Sequence, residues 1–140
     1  MSDLSDYAVT PFLAWFVAGC VKFFVNSLKA RRLAFSLIGY GGLPSTHSAI
    51  VSSMAALVAF KEGLAAPAFG VALTLAFIVI LDANSLRRQI GKQAAAINEL
   101  SRKAGGTSSL RERIGHSRLE IAAGIATGIV VATGMHWIAR

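Results

Sequence analysis

The apolar residues of this chain fall into blocks of spanning length, and most of the charged residues are confined to the stretches between them. The first block runs from Ala8 to Asn26, with Pro11 near its start and Lys22 about a turn from its end. An α-helix needs roughly 20 such residues to cross a hydrocarbon core of about 30 Å, and this block is close to that length. Lys29, Arg31, Arg32 and the helix-breaking Gly39-Tyr40-Gly41-Gly42 follow. Pro44 is placed to open a second helix, where its missing N–H costs nothing, and that helix is predicted over about Ser45–Phe60. Ser45, Ser48 and Ser52 line one side of it at spacings of three and four, so this polar stripe faces protein or a cavity rather than lipid.

A short turn at Lys61-Glu62-Gly63 leads to a third apolar run, Leu64 to Leu81, which ends on Asp82. A carboxylate there is expensive in lipid and needs the interface or a cation, with Arg87, Arg88 and Lys92 in reach. From Asn84 to Lys103 the pattern turns amphipathic, with Leu86, Ile90, Ala94, Ile97 and Leu100 spaced three and four apart. It predicts a helix lying on the membrane surface or packed on the bundle. Gly105 to Ser109 is a loop, Leu110–Ile114 a short helix, and Leu119–Ala139 the last span, in which Gly124, Gly128 and Gly134 permit close helix contacts. The fold class is therefore all-α: one membrane-embedded domain over residues 1–140, with about four transmembrane helices and an amphipathic interfacial helix.

Composition agrees with this. Hydrophobic residues make up 54% of the 140 positions, charged residues 15%, and the mean hydropathy is +0.58, whereas soluble domains have an apolar share near 45–50% and a charged share near 25%. The net charge of +7 comes from cations between hydrophobic runs without the aromatic interleaving of a single-strand binder, so anionic lipid is the expected partner and nucleic acid is not. Cys20 is the one cysteine, which excludes a disulfide within the chain. The opening Met-Ser-Asp-Leu-Ser-Asp lacks the positive region of a cleavable signal peptide, so the first run is expected to remain as a span.

Four spans place the connections 27–44 and 82–118 on one side, with the termini and Lys61 on the other. Lys29, Arg31, Arg32, Arg87, Arg88, Lys92, Arg102, Lys103, Arg111, Arg113 and Arg118 all fall on the first side. The positive-inside rule makes that side cytoplasmic in an inner or plasma membrane.

The same side collects the candidate chemistry. His116 and Glu120 are four apart, so on a helix the carboxylate accepts from one imidazole nitrogen and leaves the other as a nucleophile. His47, at the start of the second helix, is the complementary acid for a leaving oxygen. The backbone N–H groups of Ser45, Thr46 and His47 offer an anion site there. Arg87, Arg88 and Lys92 supply cations for a phosphoryl transition state without a metal, and which arginine turns inward is open. Lys22 either snorkels to the interface or adds a cation to this group. A zinc site from His47, His116, Glu120 and Asp82 lacks the usual ligand spacing, and Ser45 lacks the strand-turn-helix elbow of a serine nucleophile. His136 falls on the opposite side, beside Trp137.

At these residues the chain resembles the divergent PAP2 family, membrane proteins related to type 2 phosphatidic acid phosphatases and vanadium haloperoxidases. The matching blocks are Gly41-Gly42-Leu43-Pro44-Ser45-Thr46-His47-Ser48-Ala49, Asp82 with Arg87-Arg88-Gln89-Ile90-Gly91-Lys92-Gln93, and Leu110 through Gly115-His116 to Glu120, within roughly residues 20–130. The resemblance implies that His47 is the general acid, that His116 and Glu120 are the nucleophile pair, and that the phosphate pocket accepts vanadate and requires no cofactor or metal. Departures are plain. Lys22 and Lys29 stand at the spacing of the superfamily's Lys-x6-Arg-Pro, but without its Arg and Pro; Leu110 occupies the place of the arginine ahead of the nucleophile; and Glu120 replaces an aspartate.

The expected function is a phosphatase acting on a lipid phosphate or diphosphate. A site on the cytoplasmic face favours phosphatidylglycerol phosphate, phosphatidic acid or a prenyl phosphate. The alternatives are a non-catalytic membrane protein that binds anionic lipid or a protein partner, and a phosphotransferase with an acceptor other than water. A thin bundle of four spans also fits a homodimer.

Overall fold

The computed structural model describes residues 3–31, 33, 42–107, 109–112 and 114–139, and among them every regular element is helical. The helices are α1 (Asp3–Ala30), α2 (Thr46–Glu62), α3 (Pro67–Leu81), α4 (Arg87–Lys103) and α5 (Arg118–Ile138), with a π-type turn over Asp82–Leu86 joining α3 to α4. Of the segment 27–44, the parts 32 and 34–41, including Gly39-Tyr40-Gly41, lie outside the described residues, as does Arg113.

The four expected spans divide into three and one. Ser5–Ala30, Pro67–Lys103 and Arg118–Ile138 are long and apolar enough to cross a membrane. The fourth helix, α2, has 17 residues and is the inner one, packed on α5, α1 and α3. Its serine stripe is enclosed by protein: Ser45, Ser48 and Ser53 are fully buried and Ser52 nearly so. Large apolar side chains point outward instead on the surrounding helices, among them Phe12, Trp15, Phe16 and Phe24 on α1 and Val71, Leu75, Phe77 and Ile78 on α3. This inversion, with small and polar residues inside and large apolar ones outside, is how a bundle is built when lipid is the solvent.

Two glycines set the central crossing. A Cβ on Gly124 would meet the Ser45 carbonyl and the Ser48 Cβ, and one on Gly128 would meet the Ala49 carbonyl and the Ser53 N–H. Their absence lets the α2 and α5 backbones touch. Gly134, the third glycine of the expected set, faces open space.

Several boundaries differ from the sequence expectation. Helix α2 opens at Thr46 rather than at Pro44, because Ser45 takes the capping role: its Oγ accepts from the Ser48 N–H at 3.4 Å and its backbone is extended. Pro67, not Leu64, starts α3. The amphipathic stretch is not a separate interfacial element, since α4 continues from α3 through the π turn. At about 1.5 Å per residue the 37-residue run Pro67–Lys103 is about 55 Å long, so its polar end leaves the hydrocarbon region. The short helix predicted at Leu110–Ile114 does not form among the described residues. The Asn98 side chain donates to the Leu110 carbonyl and accepts from the Leu110 N–H, both at 2.7 Å, and this pairing ties the segment to α4.

The described ends of the two connections expected to share a side do so. The N-termini of α2 and α5 and the α3–α4 junction meet at one end of the bundle. At the other end Lys61 bonds Asp6 at 2.6 Å, and His136 packs on Phe60.

Candidate active site

The site forms where the first turns of α2 and α5 are bound to each other. The Ser45 N–H donates to the Glu120 carbonyl at 2.8 Å, which fixes the cap of one helix to the first turn of the other. Helix α5 starts with a capping box: the Ser117 Oγ accepts from the Glu120 N–H at 3.2 Å, and Glu120 Oε2 accepts from the Ser117 N–H at 2.9 Å. The same Oε2 lies 3.1 Å from His116 Nδ1. Glu120 is thus held by the helix start and in turn holds the imidazole, a contact that in a neutral ring places the proton on Nδ1 and the lone pair on Nε2.

The His116 backbone is fixed from the opposite side by the π turn. In this turn the Arg87 N–H donates to the Asp82 carbonyl five residues back rather than four. The Ala83 carbonyl accepts from the His116 N–H at 3.0 Å. Gly115 makes the approach possible, since its φ of 101° is reached cheaply only without a Cβ and its Cα sits against the Arg88 backbone. His116 is consequently buried at 8% exposure, whereas His47 is exposed.

The two imidazole rings stand 6.4 Å apart between centroids and are tilted by 53°, close enough for both to touch one phosphoryl group. Among the described residues, the charged side chains of Arg87, Lys22 and Asp82 stand near enough to act on His47. Lys22 reaches in from α1, its Nζ donating to the Thr46 Oγ1 at 3.2 Å, and Glu120 is the carboxylate that acts on it. Lys22 therefore turns into the bundle end rather than away to the interface.

Of the residues picked out in the sequence, His47, His116, Glu120, Lys22, Thr46 and Arg87 converge. Three do not join them as expected. The Ser45 N–H donates to the Glu120 carbonyl and its side chain is fully buried, so Ser45 positions the α2 start and its N–H is not available to an anion. Arg88 contributes its backbone and Cγ to the Gly115 contact while its side chain is exposed. Lys92 is exposed about 100° around the helix from the Gly91–Ala94–Asn98 line that the returning segment covers.

Asp82 finds one of the cations the sequence offered it, and two further participants were not marked by pattern. Asp82 does not pass to the interface alone but bonds Arg87, Oδ2 to Nε at 3.1 Å. Asn98 and Gly91 clamp the segment that carries His116 onto α4, Gly91 lying directly under the Glu112 carbonyl. Neither has a sequence signal beyond the resemblance block around Gly91.

These features define a helical membrane protein with a histidine pair, a carboxylate and basic side chains gathered at one end of its bundle. The chain belongs to the Divergent PAP2 family, whose model matches residues 5–131. It is also 30% identical, over an alignment covering 94% of each chain, to the uncharacterised membrane protein YuiD of Bacillus subtilis. No solved structure matches it significantly.

Proposed function

We propose that this protein hydrolyses a lipid phosphate or diphosphate at the membrane surface without a metal, through a phospho-histidine intermediate. The observation that carries the reading is the His116–Glu120 contact of 3.1 Å with the His47 ring opposite it. In the first step His116 Nε2 attacks phosphorus, the bond to the lipid oxygen breaks, and protonated His47 gives its proton to that oxygen. Glu120 stabilises the positive imidazole that forms, the orienting role of the acid in a triad. In the second step His47, now neutral, takes a proton from water, whose oxygen attacks phosphorus and releases inorganic phosphate and free His116. Lys22, Arg87 and the Thr46 and His47 N–H groups offset the charge on the phosphoryl oxygens.

The cations at this end outnumber those at the other, so the positive-inside rule turns the site to the cytoplasm. A substrate on that leaflet brings its headgroup to the histidines while its tail stays beside the apolar faces of α1 and α3. Phosphate release by the purified protein in detergent tests the reading across phosphatidylglycerol phosphate, phosphatidic acid and prenyl phosphates. Release that persists in EDTA, is blocked by vanadate and is lost in His116→Ala is the expected result. Absence of release from every lipid, with both proteins folded, would transfer the assignment to an anionic-lipid binder.

A further inference from the structure

Asp82 and Arg87 are five residues apart, and in an uninterrupted α-helix that separation places side chains about 140° apart around the axis. They bond here because the π turn closes its hydrogen bonds over five residues and stacks one side chain above the other. The same turn supplies the Ala83 carbonyl that holds the His116 N–H at 3.0 Å, so the ion pair and the nucleophile share one short piece of backbone. Arg87 also stands near enough to His47 for its charge to act on that ring, whereas Arg88 gives its backbone and Cγ to the Gly115 contact and Lys92 is exposed.

The mode of pairing is informative. Asp82 takes the Nε side of the guanidinium, and among the described residues no side chain takes the terminal Nη groups. That leaves the fork that matches two oxygens of a phosphoryl group. The pair is about one-third exposed, in contrast to a closed structural bridge.

We infer that Asp82 is a positioning residue that holds the guanidinium of Arg87 side-on across the π turn, so that its two Nη groups clamp the phosphoryl group beside His116 and His47. This rests on the proposed phosphoryl site and extends it: Arg87 is the phosphate-binding arginine, and Asp82, which touches no substrate, sets its direction.

Vanadate binding, measured by calorimetry on the full-length protein in detergent, tests this without requiring turnover. The set is wild type, Asp82→Asn, Arg87→Lys, Arg87→Ala and the double variant Asp82→Asn with Arg87→Ala. Asp82→Asn keeps shape and removes the charge, and is expected to weaken vanadate by about tenfold, as loss of one charge-assisted contact would. Arg87→Lys should weaken it similarly because a point charge cannot fork, and the double variant should bind no worse than Arg87→Ala alone. With a lipid that turns over, Asp82→Asn should raise KM more than it lowers kcat. Asp82→Asn with unchanged vanadate affinity, additive losses in the double variant, or no vanadate binding by folded wild type would each overturn the inference. Wild type that binds vanadate in this pattern but releases no phosphate from any lipid would uphold it while removing the phosphatase reading.

Discussion

The two ends of the bundle use the same kinds of side chain for different purposes. At the far end Lys61 and Asp6 bond at 2.6 Å with exposures of 12% and 1%, and His136 is packed on Phe60. Asp6 sits in the first turn of α1, where the helix dipole favours an anion, and its partner comes from the end of α2. Beneath them lies the apolar cluster of Leu57, Ala132 and Met135, with Tyr7 and Ala56 against it. A charge pair closed off in this way joins two helices and meets nothing from outside. At the near end the Arg87–Asp82 pair is one-third exposed, the Arg87 fork is unclaimed among the described residues, and His47 faces outward while His116 lies just behind it. Closure against openness, rather than residue type, separates the structural set of charges from the one available to a ligand.

The largest expected effect that separates the ends is on turnover. His116→Ala should reduce phosphate release by roughly a thousandfold or more, as removal of a nucleophile does, with the melting temperature little changed. Retained turnover in that variant would dissolve the distinction. Next, Lys61→Met leaves Asp6 buried and uncompensated, which costs about 3–5 kcal/mol when one partner of a buried pair is removed. A thermal melt in detergent should show the loss, while kcat measured well below the transition stays within about twofold. A fall in kcat as large as that of His116→Ala would mean that the far end takes part in the chemistry.

Glu120→Gln has a smaller, mixed outcome. The amide still accepts at the capping box, so stability should drop by less than about 1 kcal/mol, but the positive imidazole loses its counter-charge and kcat should fall about 10- to 100-fold. Equal effects on stability and turnover would make Glu120 a cap and nothing more. The smallest effect belongs to Lys92→Ala: an exposed cation turned away from the histidines should alter kcat/KM by less than about twofold.

Much of the helical plan is legible in the sequence because it depends on local properties. The block Ala8–Asn26 falls within α1, and Leu119–Ala139 matches α5 to within a residue at each end, since twenty apolar residues in a row have few other stable states in a membrane. The His116–Glu120 contact follows from a spacing of four and from Ser117 as cap, both written within five residues. Local pattern also misleads where a distant group competes. Leu110–Ile114 reads as helix, but Asn98, twelve residues upstream of Leu110, satisfies the Leu110 backbone better than a lone helical turn would. Arg87 reads as one of three cations in reach of Asp82, and a π turn that no composition announces selects it.

Sequence alone thus determined the class of this protein, most of its helical segments, the histidine and carboxylate of the candidate site and the end of the bundle at which they lie. Those properties follow from hydropathy and from spacings of three and four along one helix. Tertiary structure decided the rest: that α2 is the inner helix, that Gly124 and Gly128 but not Gly134 make the close crossing, that Lys22 turns inward to Thr46, and that Arg87 and not Lys92 joins the histidines. Each of these depends on groups brought together from separate helices, or across a break in helical register. Rules of period 3.6 relate residues within one turn or two; the direction in which a helix presents its faces is settled by what it packs against.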